Sequence, residues 1–136
     1  MMQEMDMATR ILVVDDDDQV RSLFDVMLRR AGYEVICAPD GRVALQELSR
    51  CAVDLIITDI FMPEKEGLET IMEIRRAWPD LKVIAVSGGG RHGNMDYLEI
   101  ARKLGASATL SKPIERRTLL ETVRGLVEAD APKDDC

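Results

Sequence analysis

Short runs of consecutive apolar residues alternate along the chain with longer stretches in which apolar residues recur every three or four positions. Ile11-Leu12-Val13-Val14, Leu55-Ile56-Ile57 and Val83-Ile84-Ala85-Val86 are of the first kind. A strand that is apolar at every position needs cover on both faces, so these runs point to a parallel sheet between helices. Five strand-then-helix units can be counted. After the first run, Val20, Leu23, Phe24, Met27, Leu28 and Ala31 form a helical stripe that Gly32 ends. Glu34 to Ala38 predicts a second strand with Cys37 buried in it, and Asp40 caps a helix carrying Val43, Ala44, Leu45 and Leu48. Leu55 to Thr58 is the third strand. Leu68, Ile71, Met72 and Arg75 then begin a helix that stops near Trp78, because Pro79 disfavours the α conformation in the residue before it. The fourth strand leads through a glycine-rich loop, Ser87 to Gly93, the most flexible segment on composition, to a helix from about Asn94 to Leu104. Ala108 to Leu110 is a short fifth strand, and Leu119, Leu120, Val123, Leu126 and Val127 line the last helix. The expected fold is α/β, a doubly wound five-stranded parallel sheet with five helices. It forms one domain over 8–129, with 1–7 and 130–136 as flexible termini.

In such a sheet ligands bind beyond the carboxyl ends of the strands. The conspicuous polar residues fall there: Asp15 and Asp16 after the first strand, Asp59 after the third, Ser87 after the fourth and Lys112 after the fifth. Asp15 to Asp18 is an unbroken acidic run. Asp17 and Asp18 read as the cap and first turn of the following helix. Asp15 and Asp16 sit closer to the strand end, where adjacent carboxylates repel and a bound cation is the better account.

Composition narrows the functional classes. The 136 residues carry a net charge of −7 and are 46% hydrophobic, enough for a sizeable core. The acidic balance and the lack of a predicted DNA-binding domain argue against nucleic acid, and the charge argues against an anionic membrane surface. Three cysteines without a CxxC pair fit neither a disulfide framework nor a zinc site, which points to a reducing cytoplasm. No apolar run is long enough to span a membrane.

These residues resemble the receiver domains of two-component response regulators. The resemblance rests on Ile11 to Asp16, on Asp54 to Pro63 with Gly67, on Val86-Ser87-Gly88, and on Gly105 to Ser107 through Ser111-Lys112-Pro113. It covers nearly the whole domain and implies a flavodoxin-like fold with strand order 2-1-3-4-5. It also implies that Asp59 accepts a phosphoryl group from a bacterial sensor histidine kinase, a histidine phosphotransfer protein or a small phosphodonor. Mg²⁺ would be held by Asp16, Asp59 and the Phe61 carbonyl, with Asp15 acting mainly through water. Lys112 would pair with the phosphoryl oxygens and Ser87 would move to hydrogen-bond them. Pro113 matches a proline that receivers hold cis, although an ordinary trans proline fits the sequence equally. Output would be an altered contact with a partner protein, or a weak dimer of an otherwise monomeric chain, through the fourth helix, fifth strand and fifth helix. That face holds Arg102, Lys103, Arg116, Arg117 and Arg124. The expectation is a stand-alone cytoplasmic switch that is no enzyme beyond its own phosphorylation and dephosphorylation.

Two other readings come from different functional classes. An aspartate-nucleophile phosphatase of the haloacid dehalogenase type needs a second acid two residues after the nucleophile, where this chain has Phe61. A phosphorylation-independent scaffold would draw on a departure at Thr109, where many receivers carry an aromatic residue that swings inward with Ser87. Without that ring, the switch would have to work through Thr109 and the fourth helix. Phe61, two after Asp59, and Gly89, two after Ser87, offer no polar side chain to orient an attacking water. An acyl phosphate on Asp59 should therefore last many minutes or longer, as followed by intact mass after removal of the donor. Loss within seconds would contradict this.

Overall fold

The apolar runs become strands because only the interior of a two-layered helical cover can bury both faces of each one. The computed structural model describes residues 9–60, 67–88 and 96–129. The glycine-rich loop beyond Gly88, Phe61, Asn94, Ala8 and both expected flexible termini lie outside the described residues. Elements alternate as β1 (Arg10–Val14), α1 (Asp18–Arg30), β2 (Glu34–Ala38), α2 (Gly41–Arg50), β3 (Leu55–Asp59), α3 (Gly67–Ala77), β4 (Lys82–Ser87), α4 (Asp96–Lys103), β5 (Ala108–Ser111) and α5 (Arg116–Ala129). The sheet is parallel throughout, in the order β2-β1-β3-β4-β5.

Alternate residues of the central strands feed two separate cores. Ile11, Val13, Leu55, Ile57, Ile84 and Val86 pack against α1 and α5 through Phe24, Met27, Leu28, Leu119 and Val123. Leu12, Val14, Ile56, Val83 and Ala85 pack against α2, α3 and α4 through Ala44, Leu48, Ile71, Ile74 and Ala101. The helix boundaries follow local chemistry. Asp17 caps α1, its carboxylate accepting from the Gln19 and Val20 amides, and Asp40 does the same for Val43 at α2. Gly32, at φ +100°, lets the chain reverse after α1 while the Tyr33 amide returns to the Leu28 carbonyl. α3 stops before Trp78, which packs half-buried at the end of the sheet away from the strand carboxyl ends.

Three expectations about burial are corrected. Leu23 is 52% exposed, because the buried stripe of α1 is Phe24, Met27 and Leu28 and Leu23 lies one position round the helix from it. Met72 is exposed for the same reason, beside the buried Ile71 and Ile74 of α3. Cys37 is exposed rather than buried: β2 is an edge strand, and Cys37 meets the charged Arg21, Asp25 and Arg29 of α1. Partial desolvation and the Asp25 charge push its thiol pKa up, so little of it is thiolate at neutral pH.

The junction of α2 with α3 is tight. Gly41 is buried at the first position of α2, and a Cβ there would stand 2.2 Å from Oγ1 of the fully buried Thr70. Gly41→Ala should therefore destabilise the fold by about 1–3 kcal/mol in urea melts. The cost should shrink when Gly41→Ala is made in a Thr70→Ala background, since the clashing hydroxyl is then gone. Equal costs in both backgrounds would show that this contact is not the cause.

Candidate functional site

Four strand ends meet at the carboxyl edge of the sheet. β1 ends in the acidic run, β3 ends in Asp59, and register places Asp59 beside Val86 and Ser87 beside Ser111, next to Lys112. Two backbone bonds lock these ends together: the Ile60 amide donates to the Val86 carbonyl at 3.0 Å, and the Lys112 amide to the Ser87 carbonyl at 2.9 Å. Because central strands are buried on both faces, their terminal side chains are drawn into the fold. Asp15 is 1% exposed, Asp59 5% and Ser87 4%, while Asp16 faces solvent.

Carboxylate oxygens of Asp15, Asp16 and Asp59 lie within 4.8 Å of one another. The Lys112 ammonium stands between two of them, with Nζ 3.0 Å from Asp15 Oδ2 and 3.2 Å from Asp59 Oδ2. Partial burial pushes its pKa down, but the Asp59 charge and then the hydrogen bond and charge of Asp15 outweigh that effect. The net result is a pKa above the usual lysine value of 10.5. The other Asp15 oxygen, Oδ1, accepts from the Asp17 amide at 2.9 Å, and the Asp15 carbonyl accepts from Arg21 Nη1 at 2.8 Å. Arg21 also pairs with Asp18 one turn away on α1. The four consecutive acids thus separate into a buried carboxylate held by a lysine, an exposed one facing the same space, a helix cap and an ion-paired first-turn residue.

The donor set suits a hard divalent cation. Three carboxylates converge from two strand ends, one lysine offsets only part of their charge, and all the converging atoms are oxygens, as Mg²⁺ prefers. Asp16 is the most open of the three to an ion from solvent, since both oxygens of Asp15 are engaged by Lys112 and the Asp17 amide and Asp59 is buried.

The structure brings Asp15, Asp16, Asp59, Ser87 and Lys112 to one edge. Phe61, the expected carbonyl ligand, lies outside the described residues. Thr109 is not at the edge: it pairs with Ala85 in register, two residues back along β5, half-buried. Its hydroxyl accepts from Arg102 Nη2 of α4 at 3.3 Å. The Lys112–Pro113 bond is cis. Arg21 is a supporting residue that the residue pattern did not single out. Its three-residue spacing from Asp18 on a helix was the available signal for the ion pair, but nothing local signalled its bond to the Asp15 carbonyl.

Comparison with known proteins gives one consistent result. The family described as response regulator receiver domain matches residues 11–124. The chain is 32% identical over 125 residues to the transcriptional regulatory protein GlrR of Escherichia coli K12, covering 92% of this chain and 28% of that protein. It is 34% identical over 118 residues to the transcriptional regulatory protein CpxR of Klebsiella pneumoniae, covering 87% of this chain and 49% of that one. The chain thus spans less than half the length of these two curated relatives. A CheY-like receiver domain protein from Methanospirillum hungatei superposes with a TM-score of 0.84 at 28% identity, covering 90% of this chain and 96% of that one. For the chemotaxis protein CheY4 of Vibrio cholerae the values are 0.81 and 29%, covering 88% and 99%.

The Lys112 geometry sets a pH dependence. A pKa raised on folding contributes stability in full below the unfolded value, and the contribution is lost as pH rises through the folded value. In chelator-treated buffer at neutral pH, Lys112→Met should lower stability by about 3 kcal/mol, because it leaves Asp15 and Asp59 without their cation. The gap between wild type and variant should narrow above about pH 10.5, where the lysine of the unfolded chain begins to lose the proton that the folded one still holds. Urea melts giving an unchanged gap up to about pH 11.5 would contradict this.

Proposed function

The chain belongs to the response regulator receiver domain family, and on that premise we propose that it is a Mg²⁺-dependent phosphorylation switch with Asp59 as the phosphoacceptor. The observation that carries the assignment is the placing of Asp59: a buried carboxylate at the end of a central strand, with Lys112 at 3.2 Å and two further carboxylates gathered around it. A side chain fixed in this way presents its oxygen in one direction, which favours in-line attack on a phosphoryl group. One oxygen of Asp59 forms the new O–P bond as the bond from phosphorus to the donor breaks, leaving a mixed anhydride on the side chain. For a phosphohistidine donor the breaking bond is P–N, and the imidazole leaves. Lys112 then exchanges its contact with the Asp59 carboxylate for the incoming phosphoryl oxygens. Ser87, on the neighbouring strand, supplies a hydroxyl to the same group. A Mg²⁺ ion held by Asp16 and Asp59, with the Phe61 carbonyl as a further ligand, would offset negative charge during transfer.

The donor in this reading is a sensor histidine kinase or histidine phosphotransfer protein, and the output is an altered protein contact at the face built by α4, β5 and α5. The domain spans 8–129. Among the described residues no helix is long and apolar enough to cross a membrane, and we place the chain in the cytoplasm on the strength of its family and its cysteine usage.

Incubation with Mg²⁺ and acetyl phosphate should add one phosphoryl mass to the intact protein, and Asp59→Asn should abolish the adduct. Asp16→Asn should retain a folded chain but slow phosphorylation about 10- to 100-fold, through weaker metal binding. A wild-type chain that never gains the mass, or an Asp59→Asn chain that does, would overturn the assignment.

A further inference from the structure

The C-terminal end of α4 is fastened by several independent bonds. The Leu104 amide donates to the Ile100 carbonyl at 2.9 Å and the Ala106 amide to the Ala101 carbonyl at 3.0 Å, closing the helix around Gly105 at φ +123°. The next residue ties this turn to β4: the Ser107 amide donates to the Val83 carbonyl at 2.6 Å, and the Val83 amide donates to Ser107 Oγ at 3.1 Å. A third element joins them. Arg75, in the last turn of α3, donates from Nη2 to the Gly105 carbonyl at 2.7 Å and from Nη1 to the Pro79 carbonyl. The guanidinium packs so closely that a Cβ on Gly105 would stand 2.8 Å from Nε.

The opposite end of α4 continues the segment that leaves β4 at Ser87, beside the candidate phosphoacceptor. Among the described side chains of α4, Glu99 and Ile100 are exposed and Ala101 enters the core. A displacement that passes from Ser87 into α4 would meet this fastening at the last turn of the helix. We propose that Arg75 is a positioning residue that anchors the C-terminal end of α4, so that α4 turns about Gly105 rather than sliding as a whole when the site changes state. The inference rests on the reading of Asp59 as phosphoacceptor for the change of state, but the anchor itself exists in the resting protein. Arginine is the residue that can do this: its planar fork reaches two carbonyls on different elements at once, whereas the single ammonium of a lysine cannot hold the same pair in fixed geometry.

Amide hydrogen exchange on the full chain tests both parts. In the resting protein, Arg75→Met keeps the aliphatic stem but removes both bonds, and should speed exchange at the Leu104, Gly105 and Ala106 amides by about five- to tenfold. Exchange in the strand amides of β1 and β3 should stay at the wild-type rate, which separates a local release from general loss of stability. Arg75→Lys should fall between the two. With Mg²⁺ and beryllofluoride, a phosphoryl mimic, the wild type should change at Glu99 to Ala101 and hold at Leu104 to Ser107, whereas in Arg75→Met the change should spread through Ser107. Wild-type exchange at Leu104 to Ala106 in the resting Arg75→Met and Arg75→Lys chains would overturn the anchor. Equal changes at both ends of wild-type α4, with the Lys112 amide responding to the mimic, would overturn the pivot alone. A Lys112 amide that does not respond at all would instead overturn the reading of Asp59.

Discussion

One ammonium group, that of Lys112, holds Asp15 and Asp59 together at the end of the sheet. Those carboxylates are almost wholly buried, and a third, Asp16, lies beside them. Without a cation, charges this close in a poorly solvated setting would drive the strand ends apart or take up protons. With one lysine the cluster persists but stays underneutralised. That residual charge makes the edge receptive to a divalent ion. The rest of the architecture serves to keep four short segments of chain, distant in sequence, at this one edge.

The parallel sheet supplies that convergence at little expense, because every strand of a parallel sheet ends on the same side. The central strands are short apolar runs buried on both faces, so their last residues are fixed by packing on either side as well as by polar contacts. Helix capping refines the result. Asp17 turns its carboxylate to the amides of α1 while its own amide donates to Asp15 Oδ1, so the bond that starts the helix also orients the buried acid. Arg21, one turn on, holds the Asp15 carbonyl and Asp18 together. The acidic run is therefore a graded series in which each carboxylate has a different partner, and the chain's net charge of −7 describes none of them well.

The order of elements and the residues at the strand ends were legible in the sequence because both arise from short-range pattern: apolar runs, caps, and glycine or proline stops. Asp17, Asp40, Gly32 and Pro79 each acted within a few residues of where they stand. The errors share a cause too. Leu23 and Met72 lie on the margins of apolar stripes, where period alone does not say whether a neighbouring element covers the helix. Cys37 sits on an edge strand opposite charged residues of α1, and being at the edge is a property of the whole sheet. The pairing of Lys112 with Asp59, 53 positions apart, and with Asp15 could not be read from spacing at all. The isomer of the Lys112–Pro113 bond was equally closed to the sequence.

Thr109 offers little side-chain packing through which a change at the site could travel. An aromatic ring at this place would bury apolar area against α4, and its movement would carry an energy in proportion to that area. A threonine hydroxyl accepting one exposed hydrogen bond from Arg102 carries far less. The stronger ties between β5 and the neighbouring elements are in the main chain: the Lys112 amide to the Ser87 carbonyl on one side of Thr109, and the Ser107 amide to the Val83 carbonyl on the other. Both reach β4, so β4 and β5 behave near the site as a single ribbon. The chain that leaves this ribbon at Ser87 leads on to α4. α4 itself is fixed at its C-terminal end, held to β4 through the Ser107 amide and hydroxyl and to α3 through Arg75.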